Sequence, residues 1–414
     1  MTSGNDISRT RVPLAPAVPP LLVFFNPLTQ LAYIPISVGL GRSLDLSPAQ
    51  IGITIGAHSV ATAVAGLLAG PLLDLVPIRR VLVPGMIVNA VVSILLCLYQ
   101  SYAVLTVGRL LTGFASGAMA LCGQALVADL TKGDPRARDR GYSLLQTFVS
   151  MGAASALALG AFSASLDQPI IVFAVGAVYA TILLVVVFVA RLGRERPPDA
   201  HAPDVPFRRR IGLTLRAIQA MLGERRRRWL ILSSVGIGLI MQGSHFGVSV
   251  LLDRLADDLS TLERVGVSIL IPCGVFTGSF INRMSLKRIT REQLFTRLYL
   301  VIPLAAAAYA AVALAALDVA AVALTLVLLG TCLGALMPLS MAISVNWNPE
   351  LRASAAATEA LSRSVGQTTG PIAVGVLVAL GGVSTVGLVV FGATLLGLAA
   401  SRNIFTAKSD AAVP

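Results

Sequence analysis

Ionisable side chains are rare inside the long apolar stretches of this sequence, so each one found there is a candidate for chemistry. Glu359 and Arg363 lie four residues apart with the acid on the N-terminal side, the favourable order for an ion pair on a helix. A carboxylate in apolar surroundings beside a cation can take up and release a proton. Glu359 is therefore a candidate proton carrier, and Arg363 would tune its affinity for the proton. The alternative is that the two residues neutralise each other and serve only the structure.

Two histidines and one arginine also fall inside apolar stretches. His58 and His245 are expected at comparable depth, and histidine changes charge near neutral pH, which suits proton coupling. A neutral, hydrogen-bonded histidine suits both positions equally. Arg109 can bind an anionic group or raise the field around a protonatable site. Its alternatives are capping of backbone carbonyls and a side chain that reaches outward to the membrane surface.

Other chemistries lack the residues that they need. The four cysteines are widely spaced without a CxxC pair, so the sequence supports neither a disulfide framework nor a zinc site. No paired carboxylates accompany the two intramembrane histidines, and no phosphate-binding glycine loop is present. We therefore predict no catalytic residue, no metal and no ATP-driven pump, and a multi-span membrane enzyme remains a remote alternative.

The composition indicates a protein embedded in a membrane. Of the 414 residues, 56% are hydrophobic and only 13% charged, and the mean hydropathy is +0.82. A soluble protein keeps roughly a quarter of its residues charged. The net charge of +12 comes from basic residues crowded into short segments between apolar stretches, as in cytoplasmic loops. The expected partner is therefore the lipid bilayer and not nucleic acid.

Twelve apolar stretches are long enough to cross roughly 30 Å of hydrocarbon as helices. The predicted spans, numbered in chain order, are 19–41, 49–73, 81–100, 103–128, 141–163, 169–190, 229–252, 262–281, 293–316, 319–345, 354–380 and 384–400. They divide the chain into an N-terminal tail 1–18, a six-helix bundle 19–190, a basic linker 191–228, a second six-helix bundle 229–400 and a C-terminal tail 401–414. The predicted fold class is an all-α membrane protein.

The distribution of basic residues predicts the orientation. With a cytoplasmic N-terminus, the side opposite the linker holds only Arg42, Arg254 and Arg264, and all basic clusters face the cytoplasm. We expect a multi-pass protein of the bacterial inner (cytoplasmic) membrane with both termini cytoplasmic. The linker carries eleven arginines. Apolar residues at helical spacing from Ile211 to Leu222 predict an amphipathic helix at the membrane surface. It either enforces topology or binds a lipid or regulator.

Two loops repeat the same pattern. Gly70, Asp74, Arg79 and Arg80 recur 208 residues later as Gly278, Asn282, Lys287 and Arg288, with Arg283 beside them. A shared offset in loops of the same topology indicates parallel six-helix repeats, an architecture of secondary transporters. Ordinary positive-inside anchoring is the alternative explanation for the basic pairs.

At these residues the chain resembles the major facilitator superfamily. The first loop is similar to the family's loop between helices 2 and 3, although Pro77 stands where the family has a second glycine. Arg109, Gly113 and Gly117 in the fourth span look like the family motif of a membrane-embedded Arg followed by packing glycines. A glycine–proline element of the family's drug–proton antiporters stands in the eleventh span, and not in the fifth. It comprises Gly366, Gly370 and Pro371.

The resemblance covers nearly the whole chain and implies twelve helices in two pseudo-symmetric bundles. It implies that the two repeated loops form a conformational latch. It also implies a role in packing or as a hinge for Gly113, Gly117, Gly366, Gly370 and Pro371. Because helices 1, 4, 7 and 10 line the cavity in the family, it also implies substrate-cavity residues. These are Asn26, Gln30, Tyr33, Arg109, Gln242 and His245.

The function that the resemblance implies is secondary active transport by alternating access. We expect proton-coupled efflux of a small amphipathic organic compound by a monomer that needs no cofactor beyond an ion gradient, with protons the expected ion. A proton-coupled importer of a small organic solute is the alternative. The sequence names no substrate.

Overall fold

The computed structural model describes residues 17–73, 76–131, 135–189, 207–255, 258–285, 289–314, 319–346 and 352–382, with single positions between 387 and 399. This part of the chain is helical and contains no strand. Its helices are α1 Val18–Leu31, α2 Tyr33–Ser43, α3 Pro48–Leu73, α4 Ile78–Leu98, α5 Tyr102–Leu130, α6 Pro135–Ser165, α7 Ile170–Val189, α8 Phe207–Gly223, α9 Arg225–Arg254, α10 Thr261–Ser285, α11 Arg291–Leu314, α12 Val319–Asn346 and α13 Arg352–Gly381.

Among the described residues, ten stretches of helix are long and apolar enough to cross a membrane, and α11 contains a shorter apolar helix. Predicted spans two to six correspond to α3–α7, and spans seven to eleven to α9–α13. Only scattered positions of the twelfth span are described. Large apolar side chains on α4 and α7 are exposed, as expected where lipid is the solvent. The predicted fold class is confirmed.

The first predicted span is broken into α1 and α2. Pro27 lies inside α1, and Pro35 lies in the first turn of α2. Proline has no N–H, so Pro35 cannot donate to the carbonyl of Leu31, and the ladder of hydrogen bonds is interrupted there. The break leaves backbone carbonyls of α1 that need another donor.

The helices pack in the same pairs in both bundles. In the first bundle α3 packs on α5 and α1 on α6; in the second α10 packs on α12 and α9 on α13. Glycines set the close approach in each pair, because a Cβ would meet the facing backbone. A Cβ on Gly152 of α6 would lie 2.6 Å from the Phe24 carbonyl of α1, and one on Gly370 of α13 would lie 2.6 Å from the Leu239 carbonyl of α9.

We call the side of the membrane on which α3 ends and α9 begins the linker side, and the other side the opposite side. The bundles meet where α3 packs on α13, α6 on α10 and α2 on α9. On the opposite side, α3 and α13 touch through backbone: Gly52 meets the Pro371 carbonyl, and a Cβ on Gly56 would lie 2.8 Å from the Thr368 carbonyl. The opposite side is therefore tightly closed along this seam.

The linker contributes α8, which packs on α3, α9 and α13. The predicted tails and residues 190–206 of the linker lie largely outside the described residues, as the structure describes neither 1–16 nor 401–414. The boundaries assigned to tails, bundles and linker therefore stay a prediction.

Candidate functional site

Glu359 lies at the centre of a buried polar network on the linker side of the second bundle. Its side chain is only 1% exposed. The Ser340 hydroxyl of α12 donates to Oε1 over 2.6 Å, and the Ser234 hydroxyl of α9 donates to Oε2. A guanidinium nitrogen of Arg363 lies 2.8 Å from Oε1. One carboxylate thus ties together α9, α12 and α13.

The helices hold this network because small residues let them approach closely. Gly238 of α9 meets the carbonyl of Arg363 itself, so the arginine's backbone is pressed against α9. The Arg363 guanidinium also reaches the Met337 carbonyl of α12, at 3.4 Å. The pair predicted on one helix is therefore formed, and its partners on two other helices fix its position.

A second hydroxyl cluster lies next to this network. Tyr299 of α11 is buried and its hydroxyl bonds the Ser233 hydroxyl, the residue that precedes Ser234 on α9. Four helices of the second bundle therefore meet around Glu359 and Tyr299. A buried carboxylate with hydroxyl partners that can either donate or accept can exist with or without its proton.

Arg109 of α5 caps the broken end of α1. Its guanidinium donates to the carbonyls of Thr29 at 2.5 Å and Gln30 at 3.0 Å, and it lies 4.6 Å from the ring centroid of Tyr33. These carbonyls belong to the last turn of α1, where orphan acceptors and the negative end of the helix dipole attract a cation. In this structure Arg109 therefore caps backbone carbonyls, one of the roles that the sequence left open.

The cavity candidates of the first span divide into two groups. Gln30 donates to the Ser59 hydroxyl at 3.0 Å, and the Tyr33 hydroxyl lies 3.0 Å from that of Thr54. Both partners belong to α3 of the same bundle. The Asn26 side-chain oxygen is buried and makes no hydrogen bond to a described residue. Of the three, Asn26 therefore has a buried polar atom that a ligand could bind.

The two histidines lie in different bundles. His58 of α3 is buried, with Nε2 3.3 Å from the Ser116 hydroxyl of α5 and Nδ1 without a partner among the described residues. His245 of α9 binds the Met241 carbonyl through Nδ1 at 2.7 Å, and its Nε2 has no described partner. The structure does not bring either histidine into the Glu359 network.

One stripe of α9 carries unpartnered polar atoms toward the other bundle. Both amide atoms of Gln242 lack a hydrogen bond within the described chain, like Nε2 of His245. Ser249 and Asp253 continue the same stripe at helical spacing. They line a cavity on the opposite side that Pro35, Ile36 and Arg42 close from α2. The stripe of Gln242, His245, Ser249 and Asp253 is therefore directed at the first bundle.

An ion pair joins the bundles at the mouth of this cavity. Arg42 of α2 and Asp253 of α9 approach to 2.5 Å, with the arginine side chain 69% and the aspartate 23% exposed. Arg264 of α10 lines the same cavity. The charge pattern of the sequence predicts the side of the membrane for both arginines and does not predict that one of them pairs with Asp253.

The predicted latch residues are only partly described. Asp74, Lys287 and Arg288 lie outside the described residues, and Gly70 and Arg283 lie in α3 and α10. Arg79 stacks 4.6 Å above the ring of Phe188 on α7, and Arg80 is exposed. Gly278 meets the Thr331 carbonyl of α12. Asn282 is buried, and its side-chain oxygen has no described partner.

The predicted packing and hinge residues all lie at helix contacts. Gly113 meets the His58 carbonyl, and a Cβ on Gly117 would lie 3.0 Å from the Thr62 Cα, so α5 lies close against α3. Gly366 meets the Val235 carbonyl of α9. Pro371 lies within α13 at the seam with α3.

The part of the chain that the structure describes contains no candidate metal site. No group of three His, Cys, Asp or Glu side chains there could hold a metal ion. The four cysteines are unbridged.

Sequence reasoning missed the partners of the charged residues. Ser234 and Ser340 bind Glu359, yet serines are common in membrane helices, and nothing in their local sequence separates them from others. Asp253 could have been found from the sequence. It is an acid in the last turn of an apolar helix, on the side of the membrane where Arg42 is predicted.

Residues 21–331 match the family model described as Major Facilitator Superfamily. Over 129 residues the chain is 29% identical to MFS-type transporter clz19 of Cochliobolus lunatus; the match spans 31% of this chain and about a quarter, 24%, of that relative's length. A crystal structure of a mutant of the nucleoside transporter NupG has a TM-score of 0.75 at 14% identity, covering 94% of this chain and 100% of that one.

The human organic anion transporter MFSD10 gives a TM-score of 0.67 at 20% identity, covering 94% of this chain and 99% of that one. At such identities these solved structures show a shared fold and leave the substrate open. The fold, the paired packing of the two bundles and the family match over most of the sequence agree, and the chain belongs to the Major Facilitator Superfamily.

Proposed function

We propose that this chain is a secondary active transporter that exports a small amphipathic organic compound in exchange for protons, by alternating access. The observation that carries the proposal is the buried Glu359, bound at once to hydroxyls of α9 and α12 and to Arg363 of its own helix. A proton bound there removes the charge that holds Arg363. Uptake or release of that proton would therefore change how tightly three helices of the bundle are joined.

The polar stripe of α9 supports a substrate site between the bundles. Unpaired buried polar atoms are costly, so free atoms on Gln242 and His245 favour a ligand or water that completes their hydrogen bonds. Asn26 of α1 offers a further free acceptor. Apolar residues, among them Pro35, Ile36 and Leu252, line the same cavity beside the polar ones, which suits a solute with both apolar and polar parts. No metal or organic cofactor enters this proposal.

The closed seam supports alternating access. Gly52 and Gly56 pack backbone to backbone against α13 on the opposite side, and Arg42 pairs with Asp253 there. On α3 toward the linker side, a Cβ on Gly66 would meet nothing within 4 Å. If the linker side is cytoplasmic, as the basic residues predict, this state is closed to the outside.

Import coupled to protons is the second candidate for the same site. A buried carboxylate serves either direction, because coupling requires only that proton and solute binding be linked. The bacterial inner membrane, both termini in the cytoplasm and a monomeric state complete the proposal.

The test begins by identifying the solute, by comparing metabolites retained in cells lacking the protein with those in cells overproducing it. Purified protein is then placed in vesicles with an imposed pH gradient of either sign, and solute flux is measured together with internal pH. Export coupling predicts solute movement against the proton flow. Movement of solute and protons in the same direction would establish the importer instead.

Glu359→Gln tests the residue itself. We expect loss of gradient-driven accumulation with retained exchange of solute across the membrane, because exchange needs no net proton movement. Glu263→Gln is the matched control, since Glu263 is exposed and its hydrogen bonds to described residues are with Ser260. Full gradient-driven transport by Glu359→Gln would remove Glu359 from the mechanism.

A further inference from the structure

The linker helix α8 exposes a surface that neither bundle covers. Arg208, Arg209 and Arg216 are exposed, and so are Leu215 and Leu222, at 47% and 42%. We call these five residues the basic face. Two large apolar side chains left exposed beside arginines, on a helix outside the membrane-crossing set, call for a partner.

The basic face has two edges. Leu215 and Leu222 lie seven residues, or about two turns, apart and so line up along one edge. Arg209 and Arg216 have the same spacing and line up along the second edge, and Arg208 lies between the two edges. A helix that lies in the membrane interface shows this arrangement, with leucines toward the acyl chains and arginines toward the headgroups.

No carboxylate of α8 neutralises these arginines. Residues 207–223 contain no Asp or Glu. Glu224 follows the helix and forms an ion pair of 2.8 Å with Arg227 of α9. The basic face therefore carries net positive charge and favours an anionic partner.

The position of α8 selects the kind of anion. It packs on α3, α9 and α13, and it follows residues 190–206 and leads directly into the membrane-crossing α9. A helix held against the ends of membrane-crossing helices lies at the depth of the lipid headgroups. An acidic soluble protein would match the arginines but not the leucine edge.

We propose that the basic face binds anionic phospholipids, with Arg208, Arg209 and Arg216 on the phosphates and Leu215 and Leu222 at the acyl boundary. Since α8 touches α3 of one bundle and both α9 and α13 of the other, lipid binding is linked to the relative position of the bundles. This inference does not depend on the substrate or on the direction of transport.

The test uses the full chain with one reporter on the basic face. Leu215→Trp keeps that edge apolar, and Trp229 and Trp347 are replaced by Phe to remove other tryptophans. The protein is reconstituted in phosphatidylcholine with rising fractions of brominated phosphatidylglycerol, and in the converse mixture with brominated phosphatidylcholine. Quenching of the reporter gives the relative affinity of the site for the two lipids.

We expect a clear preference for phosphatidylglycerol. R209Q/R216Q should reduce it by about thirtyfold at low salt, because each arginine near the surface contributes roughly fivefold. R209K/R216K should retain it. R228Q/R291Q removes the same charge from exposed positions outside α8 and should leave it unchanged.

Equal quenching by both lipids would overturn the proposal. So would a reporter that is quenched by aqueous iodide and by neither lipid, the result expected if the basic face instead docks a protein or stays in water. Loss of preference in R228Q/R291Q equal to that in R209Q/R216Q would show that overall charge, and not α8, attracts the lipid.

Discussion

Glu359 and Arg363 neutralise each other in a place where neither charge is well solvated. The carboxylate also accepts two serine hydroxyls, so its charge is shared among three donors. Arg363 has fewer partners: apart from Glu359 it reaches only the Met337 carbonyl among the contacts seen, and its Nε has no described partner. The two members of the pair should therefore respond differently to loss of the other.

Arg363→Gln should destabilise the protein by about 3 kcal/mol, since it leaves a buried carboxylate without its cation. The double variant E359Q/R363Q should lose clearly less than the sum of the two single changes. Denaturant unfolding of all four proteins in the same detergent measures the coupling. Strictly additive losses would show that the pair contributes nothing as a pair.

The charged residue of this network was predictable, and its hydroxyl partners were not. Glu359 stands out because a carboxylate within a long apolar stretch is rare. Ser234 lies 125 positions and Ser340 19 positions from Glu359 in the chain. Only the packing of α9 and α12 on α13 brings them together, and that packing depends on surfaces that a single sequence does not rank.

At the scale of helices, the break between α1 and α2 explains Arg109. The sequence showed the two prolines and the buried arginine separately. Pro35 cannot continue the ladder of α1, and the carbonyls of Thr29 and Gln30 accept from Arg109 of α5. The same arginine was considered for substrate binding, and its two bonds and its stacking on Tyr33 leave it committed to the first bundle in this state.

Arg109→Lys should lower stability by about 1–2 kcal/mol although it keeps the charge. A compact ammonium cannot span two carbonyls and lie over the Tyr33 ring at once. Thermal unfolding in detergent tests this, with Arg254→Lys at the exposed end of α9 as control. A midpoint equal to that of the unaltered protein would argue against the capping role.

The seam between α3 and α13 gives a prediction about conformation. Gly56→Ala places a Cβ 2.8 Å from the Thr368 carbonyl, so the two helices must separate. We expect a shift toward states open on the opposite side, measured by spin-label distances between α2 and α9. Gly66→Ala on the same helix is the control, because its Cβ would meet nothing within 4 Å.

Gly113→Ala separates this effect from ordinary misfolding. Gly113 packs α5 on α3 inside one bundle, against the His58 carbonyl. Its substitution should lower stability without shifting the distances between bundles. Equal distance distributions for Gly56→Ala and the Gly66 control would show that the seam does not govern closure.

At the scale of the whole molecule, the two bundles are held together on the opposite side by the seam of α3 and α13 and by one ion pair. The Arg42–Asp253 pair is exposed on the arginine side, so it contributes at most about 1 kcal/mol. A transporter must break such contacts in each cycle, and a weak pair suits that requirement. The tighter backbone contacts of α3 and α13 set how the two bundles fit together. The ion pair shifts the equilibrium between the closed state and the states open on the opposite side.

Arg42→Asp should shift the population toward states open on the opposite side by about fivefold or less, and R42D/D253R should restore it. Spin-label distances across the cavity mouth measure both. The effect should shrink in high salt, because exposed charges are screened. A swap variant that behaves like Arg42→Asp alone would show that the pair does not act as a gate.

The sequence by itself determined that the chain is embedded in a membrane, where its helices cross, where the linker interrupts them and which carboxylate is buried. These properties follow from local composition and from the thickness of the hydrocarbon layer, so neighbouring residues suffice to reveal them. Only the tertiary structure decided that Arg109 caps α1, that two serines hold Glu359 and that Arg42 pairs with Asp253. The last of these joins residues 211 positions apart, and the Arg109 bond to Gln30 joins residues 79 apart. Such contacts depend on how whole helices pack, because hydrogen bonds and ion pairs form only between groups that packing brings within about 3 Å of each other.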